Sequence, residues 1–258
     1  MSAFTDQLAA ARLEGTTVSA DAAEGPDNAL EAYAMQAEVF RHLGPASNAW
    51  KVGSTSPESQ AKLGTNEPGS ARVPARFNFI SGAPVPVFAA HDLWIEGEFA
   101  LRLGQDLPPR GTAYSREEVE AAIDGVAPAL EVVGSRLAEG IAKGGRFRVT
   151  ADGGANVSLI TGAVVSDWRR FDLPGHELRL SINGETVAVG KGERALGDPV
   201  NVMLWLANHL RGSEGLKAGE IVSTGTCTGL IRVAPADRLS ADFGDIGIVE
   251  APLTDASA

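Results

Sequence analysis

The chain has 258 residues, of which 44% are hydrophobic and 21% are charged, a composition typical of a globular protein with one large domain or a small domain beside a main one. With 22 basic and 33 acidic residues its formal net charge is −11, which disfavours non-specific binding to nucleic acids and to anionic membrane surfaces. The single cysteine, Cys227, excludes an intrachain disulfide and a cysteine-based zinc cluster.

The first residues predict a cytoplasmic location. The segment MSAFTDQLAAARLEG lacks the basic stretch and apolar core of a signal peptide. No run in the chain approaches the ~18 apolar residues that a membrane span requires. We therefore expect a cytoplasmic protein that does not enter the membrane.

Helical periodicity dominates the N-terminal part. Residues 4–14 and 27–43 repeat apolar side chains at helical spacing, and Gly44 follows as a stop signal. A short strand is predicted at 49–53. We expect residues 1–70 to form a helical N-terminal region.

The remaining residues, 71–258, predict a β-rich domain of mixed topology and hence an α+β fold. Pro74, Pro84 and Pro86 indicate edge strands or loops. Beyond residue 93, short apolar runs alternate with turns, and Asn183-Gly184 between LRLSI and ETVAV predicts a hairpin.

Two helices interrupt this β-rich part, and each carries a capping signal. Ser115 precedes the first helix and Glu118 stands at the capping-box position. Asp198 precedes the second helix and Pro199 occupies its first turn.

Two glutamates interrupt an otherwise apolar strand in WIEGEFALRLG, residues 94–104. Because alternate residues of a strand share a face, Glu96 and Glu98 point the same way. Glu131 interrupts a second apolar run, APALEVVG, in the same manner. Three converging carboxylates need a cation, and Mg²⁺ or Mn²⁺ takes oxygen ligands while leaving positions for water or substrate. The alternative is that these acids lie on the solvent face of an edge strand.

Six blocks run in order from about residue 27 to 252. They read EAYAMQ (31–36), WKVGSTSPESQAKLG (50–64), IEGEFALRLGQDLP (95–108), PALEVVGSRL (128–137), LGDPVNVMLWLANHL (196–210) and LKAGEIVSTGTCTG (216–229). Through these blocks the chain resembles the 2-keto-4-pentenoate hydratase and 4-oxalocrotonate decarboxylase family of the fumarylacetoacetate hydrolase superfamily.

The resemblance implies a fumarylacetoacetate hydrolase-type mixed β-roll, with residues 71–258 as the catalytic domain, and a bound Mg²⁺ or Mn²⁺. The family's metal motif falls on Glu96, Glu98 and Glu131, and its lysine falls on Lys51 as a general acid/base or carboxylate partner. The implied substrate is a small 2-oxo or 2-hydroxy dienoate. The resemblance also implies a homo-oligomer, with a complex with a pathway enzyme as a further expectation.

Four residues are predicted on the substrate side. Lys191, near a glycine-rich turn, is a candidate for a distal carboxylate, although an ordinary solvated lysine is equally consistent with the pattern. The turn STGTCTG can hold a carboxylate with its backbone N–H groups, and the resemblance implies a substrate-side turn here, with Thr224 and Thr226 as contacts. The resemblance also adds Asp152 from the stretch Ala-Asp-Gly. Cys227 within the turn is predicted to be a packing residue, not a nucleophile.

The resemblance fails at two positions that bear on the reaction. In the predicted loop NEPGSAR (66–72), Gly69 and Ser70 stand where the family carries an acid and an aromatic residue, and Glu67 and Asp92 are the candidate replacements. Gly153 stands where the family has an asparagine.

The implied reaction is hydration of a 2-hydroxy-2,4-dienoate to a 4-hydroxy-2-oxo acid in meta-cleavage aromatic catabolism. The alternatives are a 2-oxo-acid decarboxylase of the 4-oxalocrotonate type, an acylpyruvate hydrolase and a non-catalytic accessory subunit.

Overall fold

The computed structural model describes residues 3–19 and 24–257. The helices in these ranges are α1 (Ala3–Glu14), α2 (Ala29–His42), α3 (Pro57–Leu63), α4 (Arg116–Ala122), α5 (Gly140–Gly144), α6 (Arg146–Ala151) and α7 (Pro199–Leu210). The strands are β1 (Ala46–Gly53), β2 (Gly69–Pro74), β3 (Asn78–Ile80), β4 (Val85–Val87), β5 (Trp94–Leu103), β6 (Ile123–Val133), β7 (Asn156–Thr161), β8 (Glu177–Ile182), β9 (Glu185–Lys191), β10 (Ile221–Ser223), β11 (Ile231–Arg232), β12 (Arg238–Asp242) and β13 (Ile248–Asp255).

The strands form two sheets of mixed direction, which confirms the predicted α+β class. The larger sheet has eight strands in the order β2-β1-β10-β5-β6-β7-β3, and β11 pairs with β5 beside this path. The smaller sheet has five strands in the order β4-β13-β12-β8-β9. Three strand pairs, β1 with β10, β3 with β7 and β4 with β13, are parallel.

Local signals in the sequence locate several elements correctly. The two N-terminal helices form as α1 and α2, and the hairpin around Asn183-Gly184 forms as β8 and β9. Ser115 and Glu118 make the predicted capping box of α4. The prolines at 74 and 86 lie in β2 and β4, each the edge strand of its sheet.

The predicted boundary at residue 70 falls inside β2. Strand β1, on the N-terminal side of that boundary, pairs with β2 and with β10 in the middle of the larger sheet. The N-terminal region therefore contributes a strand to the sheet as well as helices. Among the described helices, none has the length and apolar composition needed to cross a bilayer.

Strands β5 and β6 lie at the centre of the larger sheet, and their two faces differ. One face carries apolar residues such as Phe99 and Leu130, which pack against the smaller sheet in the main hydrophobic core. The other face carries small residues, among them Ala100 and Ala129. The glutamates of β5 and β6 lie on this second face because they alternate with the core residues.

We expect Asp198→Ala to destabilise the fold by about 1–2 kcal/mol, because the Asp198 side chain accepts a hydrogen bond from the backbone N–H of Val200 at the start of α7. Asp198→Asn keeps the cap and weakens only the half-exposed ion pair with Arg116, so its loss should stay below about 1 kcal/mol. Urea denaturation measures both variants. Equal losses would show that the ion pair, not the cap, stabilises this helix end.

Candidate metal centre

Three acidic side chains converge because of the register between β5 and β6. Glu96 lies directly opposite Glu131 across the antiparallel pair, and Glu98 follows two residues later on the same face. One carboxylate oxygen from each residue lies within 4.8 Å of the others. Glu98 and Glu131 are buried, whereas Glu96 is half-buried and marks the side on which the cluster is accessible.

Protein donors hold one oxygen of each buried acid. Glu98 Oε2 accepts hydrogen bonds from Ser223 Oγ at 2.5 Å and from the Gly225 backbone N–H at 2.9 Å. Glu131 Oε1 accepts one from Asn156 Nδ2 at 2.8 Å. The second oxygen of each acid, Glu98 Oε1 and Glu131 Oε2, is buried without a hydrogen-bond partner. Each carboxylate is thus oriented by one oxygen and offers the other as a ligand.

Lys51 is brought to the cluster by the parallel pairing of β1 with β10. Its Nζ lies 3.4 Å from Glu131 Oε1 and donates a hydrogen bond to the Gly154 carbonyl at 2.7 Å. With all groups ionised, three carboxylates and one ammonium leave two negative charges in a site that excludes most water. A hard divalent cation such as Mg²⁺ or Mn²⁺ fits both the charge and the oxygen donors.

The acids already show the effect of this crowding. Burial and the charge of Glu131 raise the pKa of Glu96 to about 7, and the charge of Lys51 offsets only part of that rise. Burial, followed by the charges of Glu131 and Glu96, raises the pKa of Glu98 well above its usual range. Without a cation the cluster therefore retains protons near neutral pH.

The two threonines of the predicted substrate turn have different contacts. Thr226 is half-buried, and its hydroxyl lies near enough to Glu96 to lower the pKa of that carboxyl, so it lies at the carboxylate cluster. Thr224 is buried, and its hydroxyl donates to the Phe99 carbonyl, which anchors the turn to β5. Burial raises the pKa of the Cys227 thiol in the same turn, which suits a packing residue.

The other two predicted substrate contacts lie elsewhere. Lys191 is exposed at the end of β9, in the smaller sheet. Asp152 is buried, and its carboxylate oxygens accept hydrogen bonds from the backbone N–H and Nε of Arg136. The carboxylate cluster consists of Glu96, Glu98 and Glu131, so Asp152 is not a member of it.

Position 69 begins a strand, although a loop was expected there. Gly69 pairs with Gly53 in the β1–β2 ladder, so the family's acid at this position has no counterpart in the strand. Of its candidate replacements, Glu67 pairs with Arg146 and Asp92 pairs with Arg232, both at the surface. Neither acid is a member of the carboxylate cluster.

Four residues that orient the acids or Lys51 were not predicted as site residues, and one of them, Gly225, contributes only its backbone N–H. Ser223 lies beside Lys51 in the sheet register, and Asn156 opens β7 beside β6. Gly154 contributes only its backbone carbonyl. The sequence offers a weak signal for Ser223, as the first hydroxyl of STGTCTG, and none for the Gly154 carbonyl.

Comparisons with known proteins agree with this fold. The family model described as "Fumarylacetoacetate (FAA) hydrolase C-terminal" matches residues 50–254. A 2-keto-4-pentenoate hydratase of Paraburkholderia xenovorans is 32% identical over 229 residues, which cover 87% of this chain and 84% of that protein. A 4-oxalocrotonate decarboxylase of Pseudomonas putida is 30% identical over 226 residues, which cover 86% of this chain and 84% of that protein.

A solved structure shares the fold over almost its full length. The 4-oxalocrotonate decarboxylase of Pseudomonas putida G7, complexed with magnesium and adipate, matches with a TM-score of 0.87 and 28% identity. The match covers 97% of this chain and 96% of that one.

We expect Mg²⁺ binding to weaken by about fivefold or more between pH 7 and pH 6, because the ion must displace a proton from Glu96, whose pKa is about 7. Isothermal titration calorimetry in two buffers of different ionisation enthalpy measures both the affinity and the released proton. The exposed Glu58→Gln variant is the control. Equal affinity at both pH values without proton release would contradict the assignment.

The raised pKa of Glu96 also makes the stability of the metal-free protein depend on pH. A carboxyl group whose pKa rises on folding from 4.5 to about 7 contributes stability that is complete below 4.5 and lost as the pH rises through 7. We therefore expect the thermal midpoint in EDTA to fall between pH 5.5 and 8, and Mg²⁺ to raise it more at pH 8. A Glu96→Gln variant should lose the part of this pH dependence that Glu96 contributes and keep the part that comes from Glu98, whose pKa is also raised.

Proposed function

Because the chain belongs to the fumarylacetoacetate hydrolase family, we propose that it is a metal-dependent hydratase that adds water to a 2-hydroxy-2,4-dienoate and yields a 4-hydroxy-2-oxo acid. The observation that carries this proposal is the meeting of Glu96, Glu98 and Glu131 with Lys51 in one cluster, with two carboxylate oxygens left unpartnered. Such a reaction belongs to meta-cleavage aromatic catabolism.

The three glutamates would hold Mg²⁺ or Mn²⁺. When bound, the ion supplies a Lewis acid that stabilises negative charge on the 2-oxo oxygen and the neighbouring carboxylate of the substrate. The remaining tasks belong to the side chains. Ser223 and the Gly225 amide keep Glu98 oriented, and Asn156 does the same for Glu131, so the acids need not reorganise during turnover.

Hydration requires two proton movements besides the addition of water. The dienol loses its hydroxyl proton and gains one at carbon 5, and water then adds at carbon 4 while a proton is added at carbon 3. Lys51 Nζ is the proposed proton carrier, because it is buried, borders the cluster and can rotate its protons. Thr226, beside Glu96, is the proposed contact for the substrate carboxylate or the water. Thr224, Lys191 and Asp152 remain proposed substrate contacts.

Decarboxylation of a 4-oxalocrotonate-type acid is the second candidate. It is supported by the decarboxylase relative at 30% identity and by the decarboxylase structure with a TM-score of 0.87. Both reactions pass through the same type of enolate, so the carboxylates and Lys51 would serve either one. Groups that contact the far end of the substrate would decide between them.

Two further expectations are part of the proposal. A homo-oligomer, with or without a pathway enzyme, is supported by large apolar side chains that are highly exposed, among them Leu30 and Ile80. A cytoplasmic location is supported by the single, buried Cys227, since the fold does not use a disulfide.

The proposal predicts different losses for two variants. Glu98→Gln should abolish Mg²⁺ binding and turnover, because it removes a charged ligand and leaves a buried amide in its place. Lys51→Met should lower kcat by about 100-fold or more, with Mg²⁺ affinity unchanged or raised, because a cation beside Glu131 is removed. The assay follows the ultraviolet absorbance of 2-hydroxypenta-2,4-dienoate with Mg²⁺, and calorimetry follows the ion.

Glu58→Gln, at an exposed acid, is the matched control for Glu98→Gln. Wild-type turnover in Lys51→Met would remove Lys51 from the mechanism. Release of CO₂ from 2-oxohex-3-enedioate, without loss of the dienoate, would establish the decarboxylase instead. Inactivity on both substrates with Mg²⁺ bound would favour another substrate or an accessory subunit.

A further inference from the structure

A tight turn at residues 152–156 joins α6 to β7 and reaches the candidate active site at two points. The Gly154 carbonyl accepts a hydrogen bond from Lys51 Nζ at 2.7 Å, and Asn156 Nδ2 donates to Glu131 Oε1 at 2.8 Å. The turn therefore contacts both the proposed proton carrier and a proposed metal ligand. Its own position decides where these two groups are held.

The backbone of this turn is unusual. Gly153, Gly154 and Ala155 have φ values of 69°, 65° and 64°, so three successive residues adopt the left-handed region. A Cβ on Gly153 would lie 2.8 Å from Phe40 and 3.1 Å from Arg12, and one on Gly154 would lie 3.1 Å from Lys51 Nζ. Side chains thus enclose the turn on both sides, and this conformation needs support from its neighbours.

Two buried arginines provide that support. Arg12, on α1, donates from Nη1 to the Asp152 carbonyl at 3.0 Å and from Nη2 to the Asn156 carbonyl at 2.7 Å. Arg136 Nη2 donates to the same two carbonyls, each at 3.0 Å. The first and last residues of the turn are therefore held by four charge-assisted hydrogen bonds.

Charge balance separates the roles of the two arginines. Asp152 accepts its short hydrogen bonds from Arg136, whereas Arg12 Nη1 lies 3.6 Å from Asp152 Oδ1. Two guanidinium groups and one carboxylate leave an excess positive charge in a buried place. Burial and the charge of Arg136 lower the pKa of Arg12 to about 9, so Arg12 is still charged at neutral pH. Arg12 is not needed to neutralise Asp152, and its short hydrogen bonds go to the backbone of the turn.

We propose that Arg12 is a positioning residue for the active site, which acts through the 152–156 turn on Asn156, Glu131 and Lys51. Helix α1, more than a hundred residues away in sequence, thereby becomes part of the support of the metal site. The part of this inference that concerns turnover rests on the proposed function, whereas the part that concerns the ion does not.

The test compares Mg²⁺ binding in Arg12→Met, Asn156→Leu and the double variant, by calorimetry at a temperature where all are folded. Each single variant should weaken Mg²⁺ binding by about tenfold, because Glu131 loses its fixed orientation. The double variant should bind no more weakly than Asn156→Leu alone, because Arg12 acts through Asn156. Arg12→Lys keeps the positive charge but cannot donate to both carbonyls as the guanidinium does. Its Mg²⁺ affinity should lie between those of the wild type and Arg12→Met.

Arg110→Met, at an arginine that pairs with Glu118 far from the turn, is the matched control and should leave Mg²⁺ affinity unchanged. If the dienoate is turned over, kcat of Arg12→Met should fall by about 10–100-fold with KM within about threefold. Wild-type Mg²⁺ affinity in Arg12→Met, or additive losses in the double variant, would overturn the inference even when the thermal midpoint falls. If the wild type does not turn over the dienoate but the variants show the predicted Mg²⁺ affinities, the proposed reaction is rejected and the positioning role of Arg12 stands.

Discussion

The direct opposition of Glu96 and Glu131 across two central strands is the constraint to which the surrounding structure responds. Two carboxylates in register repel each other, and Glu98 adds a third charge on the same buried face. The neighbouring side chains and backbone groups either reduce that repulsion or hold the carboxylates in fixed orientations. Ser223, the Gly225 amide and Asn156 supply hydrogens to fixed oxygens, and Lys51 supplies a positive charge.

Strand pairing in the larger sheet brings these compensating groups to the three acids. Pairing of β1 with β10 aligns Lys51 with Ser223, and pairing of β10 with β5 aligns Ser223 with Ala100, next to Glu98 on the same face. The opposite face of the same strands is apolar and joins the two sheets. A rigid, well-packed sheet thus carries a polar site on one face, which keeps the carboxylates in place without an ion.

The sequence predicted those parts of the site that depend on local periodicity. Alternation in β5 placed Glu96 and Glu98 on one face, and the acid within an apolar run singled out Glu131, because both signals lie within a few residues. The family resemblance supplied Lys51.

Ser223, Asn156 and Arg12 gave no comparable signal, because their roles arise from contacts between segments far apart in the chain. Asp152 was predicted as a substrate contact for the same reason: its ion-pair partners Arg12 and Arg136 cannot be identified from the local sequence. The sequence predicts a loop at residue 69, where β2 begins, because Pro68 and Gly69 are adjacent there, and the pairing of β2 with β1 is not visible locally.

The parallel neighbours β1 and β10 also fix the order of events when the protein is made. Residues 46–53 leave the ribosome well before their partner at 221–223. Strands β5 and β6 are synthesised before Ser223, so their acids are present in the growing chain before that hydroxyl. Contacts of such long sequence separation form late. The donors that orient Glu98 are therefore present only after residue 225 has been made, and a product truncated before Ser223 presents the three acids without them.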